Sequence, residues 1–212
     1  CAAHDGPAAG TLEALAHEAR ECRRCPLGAC ATQTVFGEGP SSARAILIGE
    51  QPGDREDLAG KPFVGPAGAV LNEALAQAGL DRSQLYLTNA VKHFKHEPRG
   101  KRRLHKTPNA GEIDTCRWWL DREVALVASP VIVTMGATAL RGVAGLAEVR
   151  GRLAGETLSS LRGRVVDLGA RRLVATAHPA YLLRLTDAAA RREESRRFVD
   201  DIARAKALVS GD

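Results

Sequence analysis

Three short segments of this sequence carry polar side chains directly after an apolar run. Glu50 follows the run RAILIG, Asn89 follows LYLT, and His178 comes shortly after RLVAT. Apolar runs of this length predict buried strands, and the ligands of open parallel sheets bind where the strands end. A carboxylate, a carboxamide and an imidazole can there accept protons and read the edge of a ligand. The sequence therefore predicts one pocket containing all three, although singly Glu50 could be a surface carboxylate and His178 a packed core histidine.

Cysteines form a second candidate site. The Cys-x-x-Cys spacing of Cys22 and Cys25 lets two thiolates reach one metal centre from a single turn, with Cys30 close behind and Cys116 far downstream. The pair precedes the first predicted strand, whereas a thioredoxin-like redox pair lies between a strand and a helix. A zinc ion and an iron–sulfur cluster both use four such ligands, and unrelated free thiols are the remaining alternative. We assign no role to Cys1.

The sequence KHFKHEPRGKRRLHK, which we call the basic segment (residues 92–106), begins soon after Asn89. It contains seven lysines and arginines with three histidines among them. Such a segment would contact phosphates with little regard to base sequence. A solvated charge run is the ordinary alternative, but the position beside the predicted pocket favours contact with nucleic acid.

Alternating helix and strand patterns must position these groups. The strands are predicted at 44–49, 85–88, 131–135 and 172–176, and the helices at 11–21, 67–78, 112–127, 138–143 and 193–209. Residues 49–68 and the basic segment are predicted as loops. This alternation predicts an α/β fold, a three-layer α/β/α sandwich with a mostly parallel four-stranded central sheet. We expect one domain over residues 1–212, with 1–10 as a flexible N-terminus.

Composition narrows the class of protein. A chain of 212 residues suits one compact domain, and its formal net charge of +5 suggests an anionic partner, although many proteins without one are as basic. No run approaches the roughly 20 apolar residues that cross a bilayer, and the N-terminus lacks the features of a signal peptide. We therefore expect a cytoplasmic monomer with no membrane contact and no evident protein partner.

Six motifs occur in an informative order. They are Cys-x-x-Cys at 22–25, VFGEGP at 35–40, GE-x-PG at 49–53, GKPFVGPAG at 60–68, TNAVK at 88–92 and HP-x-x-LLR at 178–184. In this order they resemble the uracil-DNA glycosylase superfamily, specifically its iron–sulfur branch, and the resemblance covers nearly the whole chain. It implies an enzyme that excises uracil from DNA.

Two departures from the ordinary four-cysteine, family 4 enzymes are similar to the type-X uracil-DNA glycosylases. Gln51 stands where family 4 usually has alanine, and KRRLH at 101–105 is an insertion that family 4 lacks. The type-X resemblance implies that His105 becomes covalently bonded to the DNA sugar at C1′. Lys101, Arg102, Arg103 and Lys106 would hold the segment against phosphate, and Gln51 would dock it by hydrogen bonding.

The same resemblance implies a [4Fe-4S] cluster. His93 stands at the position of a family 4 cysteine, so the implied ligands are Cys22, Cys25, His93 and Cys116, with Cys30 as the rival fourth ligand.

The resemblance also implies roles around the base. Phe63 would stack on the uracil ring, and Asn89 would match its N3–H and O4. His178 would donate a hydrogen bond to O2 of the departing uracil. Glu50 would stabilise the positively charged sugar or activate its attacker.

Gly49 and Gly53 are predicted to line the substrate pocket, where backbone N–H groups of residues 51–53 would act as further donors.

Alternatives stay open at this point. A water-using, multiple-turnover family 4-like enzyme differs only at Gln51 and the KRRLH insertion. A non-catalytic, metal-containing nucleic-acid-binding protein explains the charge and the cysteines, but not the polar groups at three strand ends. A zinc enzyme is disfavoured because no His-x-Glu deaminase motif accompanies the cysteines. Single-stranded DNA is the expected substrate, because an unpaired base costs less to extrude.

Overall fold

The computed structural model describes residues 10–210, so the predicted flexible N-terminus lies outside them apart from Gly10. Its elements in chain order are α1 (Leu12–Ala19), α2 (Leu27–Cys30), β1 (Ala45–Gly49), α3 (Asp54–Ala59), α4 (Pro66–Ala78), β2 (Leu85–Asn89), β3 (His96–Arg99), β4 (Arg102–His105), α5 (Ala110–Val127), β5 (Val131–Met135), α6 (Ala137–Ala144), α7 (Leu158–Leu161), β6 (Val165–Asp167), β7 (Arg172–Thr176), α8 (Pro179–Arg184) and α9 (Ala188–Ser210).

The central sheet has the strand order β2-β1-β5-β7-β6. The first four strands are parallel neighbours, and β6 pairs antiparallel with β7 at the edge. The predicted α/β fold and all four predicted strands are confirmed. The fifth strand was not predicted, because Val165–Asp167 is short and partly exposed and so carries no apolar run.

Both faces of the sheet are covered, which explains why its strands read as continuous apolar runs. In β1, Ile46 and Ile48 point into one core, which α5 and α6 complete. Ala45 and Leu47 point into the opposite core, beneath α4 and α9. This alternation has the period of two expected for a strand. The three-layer arrangement therefore follows from side-chain burial on both faces of β1.

A smaller core attaches the cysteine-containing N-terminal part to the domain. Leu15 and Ala19 of α1 are fully buried against α5, where Trp119 is almost fully buried. Cys22 and Cys116 belong to the same cluster. Packing of α1 on α5 thus brings residues that are far apart in sequence to one place.

Two segments predicted as loops contain regular structure. Within residues 49–68, α3 begins with acidic residues in its first turn and ends at Gly60, whose φ of 70° suits a left-handed helix cap. The basic segment forms an antiparallel hairpin, β3–β4, that turns at Gly100 with a φ of 59°. Both loop predictions were wrong, because short polar elements lack the apolar periodicity that identifies longer ones.

The closing helix starts earlier than predicted. Its first turn is capped by Asp187, whose Oδ1 accepts a hydrogen bond from Ala190 N at 2.7 Å, so α9 begins at Ala188 and not at Glu193. Over residues 10–210, neither this helix nor any other is long and apolar enough to span a bilayer.

Leu120 tests the core under α5. Its side chain is fully buried, so Leu120→Ala should lower the free energy of unfolding by roughly 2–5 kcal/mol. Leu58→Ala is the matched control, because Leu58 is 61 % exposed and should change that energy by no more than about 0.5 kcal/mol. Urea denaturation followed by circular dichroism measures both, and equal losses would contradict the assignment of Leu120 to the core.

Candidate active site

Polar groups converge at the carboxyl edge of the sheet, as predicted. The last residue of β1, Gly49, lies in register with Asn89, the last residue of β2. Gly136 N, just after β5, donates to Thr176 O at the end of β7, two residues before His178. Parallel pairing therefore brings Asn89, Glu50 and His178 to one edge.

Gly49 allows two predicted side chains to meet. A Cβ at this position would lie 2.5 Å from Asn89 Oδ1 and 2.7 Å from Phe63 Cζ, both closer than van der Waals contact. Phe63 is buried, with a φ of 55° that its neighbours must enforce, and a Cβ on Gly68 would lie only 2.0 Å from Phe63 O. Glycines at 49 and 68 are therefore required for the amide of Asn89 and the ring of Phe63 to lie together against the end of β1.

Glu50 is held from two sides. Its Oε1 lies 3.2 Å from His105 Nε2, and its Oε2 accepts a hydrogen bond from Thr138 Oγ1 at 2.7 Å. Burial alone would raise the pKa of the carboxyl, but the hydrogen bonds from His105 and Thr138 lower it below its usual range. Glu50 is therefore an anion that faces the exposed imidazole of His105. The sequence gives no sign of the role of Thr138, since a threonine in the first turn of a helix is common.

His178 is a neutral donor. It precedes α8, and its Nδ1 accepts a hydrogen bond from Ala180 N at 3.2 Å, so the ring proton resides on Nε2. Burial lowers the pKa of the imidazole to about 4, against an ordinary value of 6.5. Gly136 lets His178 approach β5, since a Cβ there would lie 3.2 Å from His178 Cβ. The result is an uncharged N–H donor beside the carboxylate of Glu50.

Gln51 holds the base of the hairpin. Its Nε2 donates to Lys106 O at 3.0 Å and to Lys95 O at 3.3 Å, while its Oε1 accepts from Lys95 N at 3.0 Å. Lys95 O also accepts from Lys106 N, so one buried carboxamide contacts both strands of the hairpin where they diverge. The structure places Gln51 in the docking position that the sequence suggested.

Arg103 has a different environment from the one expected. We predicted a contact with phosphate, but its guanidinium lies 2.6 Å from Asp54 Oδ1 and 2.5 Å from Asp57 Oδ2. It also donates to Thr32 Oγ1 at 3.0 Å. Two carboxylates of α3 thus compensate this charge, and Arg103 fixes the hairpin to the domain. The acidic residues in the first turn of α3 were the signal in the sequence that could have indicated this pairing.

The other basic residues that were expected to contact phosphate point outward. Lys101 and Arg102 are exposed at the tip of the hairpin, and Lys106 is exposed and pairs with Glu97 at 2.6 Å. His105 itself is 48 % exposed, beside the site rather than buried in it. The three basic residues are thus open to solvent, and His105 of the same hairpin reaches Glu50.

Gly53 has its backbone donor occupied. Its N–H donates to Glu56 Oε2 at 3.1 Å, and the other oxygen of Glu56 accepts from Gly65 N at 2.6 Å. Pro52 has no N–H, so only Gln51 keeps a backbone donor in the segment where we predicted several. The buried carboxylate of Glu56 was not predicted to have a role. It connects the two ends of the segment 53–65 by accepting hydrogen bonds from both.

The cysteine site is partly assembled. Cys22 Sγ accepts from Trp119 Nε1 and Cys116 Sγ accepts from Lys92 N, each at 3.2 Å. Cys25 packs against the same cluster, whereas Cys30 is exposed. Over residues 10–210, no three His, Cys, Asp or Glu side chains adopt an arrangement that would hold a metal ion.

His93 lies beside this cluster. It is 2 % exposed and approaches the cysteine segment so closely that a Cβ on Gly28 would lie 3.5 Å from its Nε2. That nitrogen contacts Thr34 Oγ1 at 2.9 Å, while Nδ1 is buried without a hydrogen-bond partner in the described chain. An imidazole with one buried ring nitrogen free of hydrogen bonds, close to the segment that carries Cys22 and Cys25, fits the donor set of a metal centre.

Comparison with known proteins identifies similar chains. Residues 36–203 match the family model described as the uracil DNA glycosylase superfamily. A type-4 uracil-DNA glycosylase of Thermotoga maritima is 35 % identical over 200 residues, which cover 93 % of this chain and 94 % of that protein. Another type-4 uracil-DNA glycosylase, from Archaeoglobus fulgidus, is 34 % identical over 177 residues, 82 % of this chain and 83 % of that protein.

His178 should make stability depend on pH. Because its folded pKa is about 4 and its ordinary value 6.5, the unfolded chain binds more protons between these pH values, and acid favours unfolding. Its contribution is complete above about pH 6.5 and should fall by roughly 2–3 kcal/mol by pH 4.5. The lowered pKa of Glu50 acts in the same direction at lower pH.

Urea denaturation at pH 7 and pH 4.5 measures this effect against His178→Asn, which keeps a side-chain acceptor for Ala180 N but does not titrate. The variant should lose less stability over this interval than the wild type, whereas equal losses would contradict a neutral, buried His178.

Proposed function

The chain belongs to the uracil DNA glycosylase superfamily, and on this premise we propose that it excises uracil from DNA and then bonds the exposed sugar to His105. The observation that supports the covalent step is the approach of His105 Nε2 to Glu50 Oε1, at 3.2 Å, on a hairpin fixed by Gln51 and Arg103. An imidazole at this place would meet the sugar before bulk water does. The proposed substrate is uracil in single-stranded DNA.

Recognition of the base is assigned to Asn89 and Phe63. The side-chain amide of Asn89 offers an acceptor for N3–H and donors for O4 of uracil, whereas cytosine presents the opposite pattern at this edge. Each buried group left unpaired by cytosine would cost about 1–3 kcal/mol. The ring of Phe63, which meets Asn89 over Gly49, would stack on the extruded base.

Cleavage of the C1′–N1 bond leaves its electron pair on uracil and positive charge on the sugar. The Nε2–H of neutral His178 would donate a hydrogen bond to uracil O2 and so stabilise the departing anion while keeping its proton. The carboxylate of Glu50 would stabilise the oxocarbenium-like sugar from the other side. These roles use the protonation states that burial and hydrogen bonding favour at each group.

Capture follows from the position of His105. A lone pair of its neutral imidazole forms the new bond to C1′, and Glu50 accepts the proton from the resulting imidazolium. Overall, the imidazole of His105 loses one proton and the uracil anion gains one, so the reaction releases no net proton. An N-alkylated imidazole is a poor leaving group, so the protein would turn over once and remain attached.

DNA binding is assigned to the exposed face of the hairpin. Lys101, Arg102 and Lys106 would contact phosphates there, while Arg103 keeps the hairpin in place through Asp54 and Asp57. Because His105 belongs to the same hairpin and reaches Glu50, a strand held by the hairpin would present its sugar to His105.

The proposed cofactor is a [4Fe-4S] cluster held by Cys22, Cys25, His93 and Cys116. The buried thiols that accept N–H hydrogen bonds and the unpartnered Nδ1 of His93 support this set over one that includes the exposed Cys30. Such a cluster would supply cross-links between the N-terminal segment, the start of the basic segment and α5, and no chemistry at the base.

A denaturing gel tests the proposed reaction. We expect the wild-type protein and a labelled single strand with one uracil to give a band that survives heat and SDS, absent with thymine. His105→Ala should lose this band completely but still release uracil and leave an alkali-labile site. Uracil paired in a duplex should react more slowly, because its extrusion costs a few kcal/mol more.

The matched control is His96→Ala. His96 lies opposite His105 in the hairpin and stacks on Phe94 with ring centroids 4.9 Å apart, and its loss should leave the band intact. A heat-stable band from His105→Ala would contradict the role of this histidine. An unshifted wild-type strand that breaks at uracil after alkali would make the protein a water-using enzyme.

Iron and sulfide analysis tests the cluster. After anaerobic reconstitution, Cys116→Ala and His93→Ala should lose most bound iron and sulfide, because each removes one proposed ligand. Cys30→Ala should retain both, since its side chain is exposed. If Cys30→Ala lost iron and sulfide while His93→Ala retained both, Cys30 would replace His93 as the fourth ligand. Stoichiometric zinc without sulfide would reject the cluster.

A further inference from the structure

The proposed reaction leaves a fully buried ion pair unused. The side chains of Lys92 and Glu123 both have no exposed surface, and Lys92 Nζ donates directly to Glu123 Oε2. Two charges in a core carry a large desolvation cost, and apolar residues of similar size often stabilise such a site better. Stability alone therefore does not account for this pair.

Lys92 Nζ uses all of its hydrogen-bonding capacity. Besides Glu123, it donates to Thr88 Oγ1 and to Asn89 O, each at 2.7 Å. Its three ammonium protons thus meet three acceptors. One of them is the backbone carbonyl of Asn89, the residue proposed to read uracil.

The carbonyl of Asn89 lies where regular strand pairing ends. Gly49 O accepts from Ala90 N at 2.9 Å, so β1 satisfies the N–H on the far side of this peptide bond. The carbonyl side is satisfied by Lys92 Nζ. With both ends bonded, the peptide plane after Asn89 is fixed, and this fixes the direction in which its side chain leaves the backbone.

Lys92 is itself immobilised. Its backbone N–H donates to Cys116 Sγ at 3.2 Å, and its carbonyl accepts from Val35 N at 2.8 Å. Lys92 therefore connects the buried thiols to the peptide that carries the base-reading amide.

Glu123 is held in place by hydrogen bonds from other parts of the chain. Its Oε1 accepts from Gly37 N and from Tyr86 OH, each at 3.0 Å. Burial and the neighbouring carboxylate raise the pKa of the Tyr86 phenol, which keeps that hydroxyl a donor. A Cβ on Gly37 would lie 2.5 Å from Glu123 Oε1, so glycine is needed there. The carboxylate is thereby aimed at Lys92 from a fixed position.

We propose that Lys92 and Glu123 are positioning residues that set the direction of the Asn89 amide and thereby the rate of uracil excision. This inference rests on the proposed role of Asn89. The pair touches no substrate atom and acts through the Asn89 peptide. A base reader with loosened orientation should lose rate at the chemical step, because small displacements at a reacting centre slow it strongly.

The test removes both charges at once, since Lys92→Met alone would leave an unpaired buried carboxylate. The double variant Lys92→Met/Glu123→Gln should fold, as circular dichroism reports. Its single-turnover rate of uracil excision from a single strand should fall roughly 10- to 100-fold. Affinity for the same strand with thymine in place of uracil should stay within about twofold, because phosphate contacts dominate that affinity.

Repeating the experiment in an Asn89→Ala background identifies the route of the effect. If Lys92 acts through Asn89, the double replacement should there change the rate by less than about threefold. Equal fold losses in both backgrounds, or an unchanged rate in a folded double variant, would overturn the proposal. An Asn89→Ala protein as active as wild type would instead reject the proposed role of Asn89 itself.

A second ion pair provides the matched control. Arg171→Met/Glu148→Gln removes a pair at the opposite edge of the sheet, where Arg171 is buried and its Nε lies 2.6 Å from Glu148 Oε1. This variant should leave the excision rate of folded protein unchanged. An equal rate loss there would mean that the effect of replacing Lys92 and Glu123 is a general loss of stability, and would overturn the proposal. If the Met–Gln variant does not fold, Lys92→Gln/Glu123→Gln carries the same test with a side chain too short to reach Asn89 O.

Discussion

Parallel pairing of β1 with β2 places Gly49 opposite Asn89, and the site depends on this register. The pairing continues beyond the strands, since Gly49 O accepts from Ala90 N and Glu50 O accepts from Val91 N. A shift by one residue would turn every side chain of a strand to the opposite face. It would bury Glu50 among apolar groups and direct Asn89 away from Phe63. Close packing of different side chains on the two faces of β1 opposes that shift, and so do the two hydrogen bonds beyond the strands, so the core of the protein contributes to its chemistry.

Polar contacts give a surface hairpin a defined position. Its base is bonded to the buried amide of Gln51, and its second strand is held by the ion pairs of Arg103 with Asp54 and Asp57. Asp57 is fully buried, so this pairing is screened less than an exposed one. Rigid attachment matters for His105, because an imidazole must approach a short-lived cationic sugar in one orientation.

Sequence patterns predicted the apolar strands and the long helices, and missed several short elements. The four parallel strands were found because each is buried on both faces and so reads as an uninterrupted apolar run. The short helix α3, the hairpin β3–β4 and the edge strand β6 were missed, because contacts with the rest of the domain stabilise them rather than a periodic pattern of their own. Gly53 shows the same limit at one residue, since its backbone N–H is occupied by Glu56.

The sequence by itself determined the order of the strands along the chain, the polar residues that follow them and the family resemblance, because these depend on residue type and spacing. Only the tertiary structure decided which partner each polar side chain has. Arg103 meets carboxylates, Thr138 holds Glu50, and Lys92 reaches Asn89 O. Such partners come from distant parts of the chain, and packing of the strands and helices sets the distances between them. A hydrogen bond depends on those distances to within a few tenths of an ångström, which no pattern of residue types encodes.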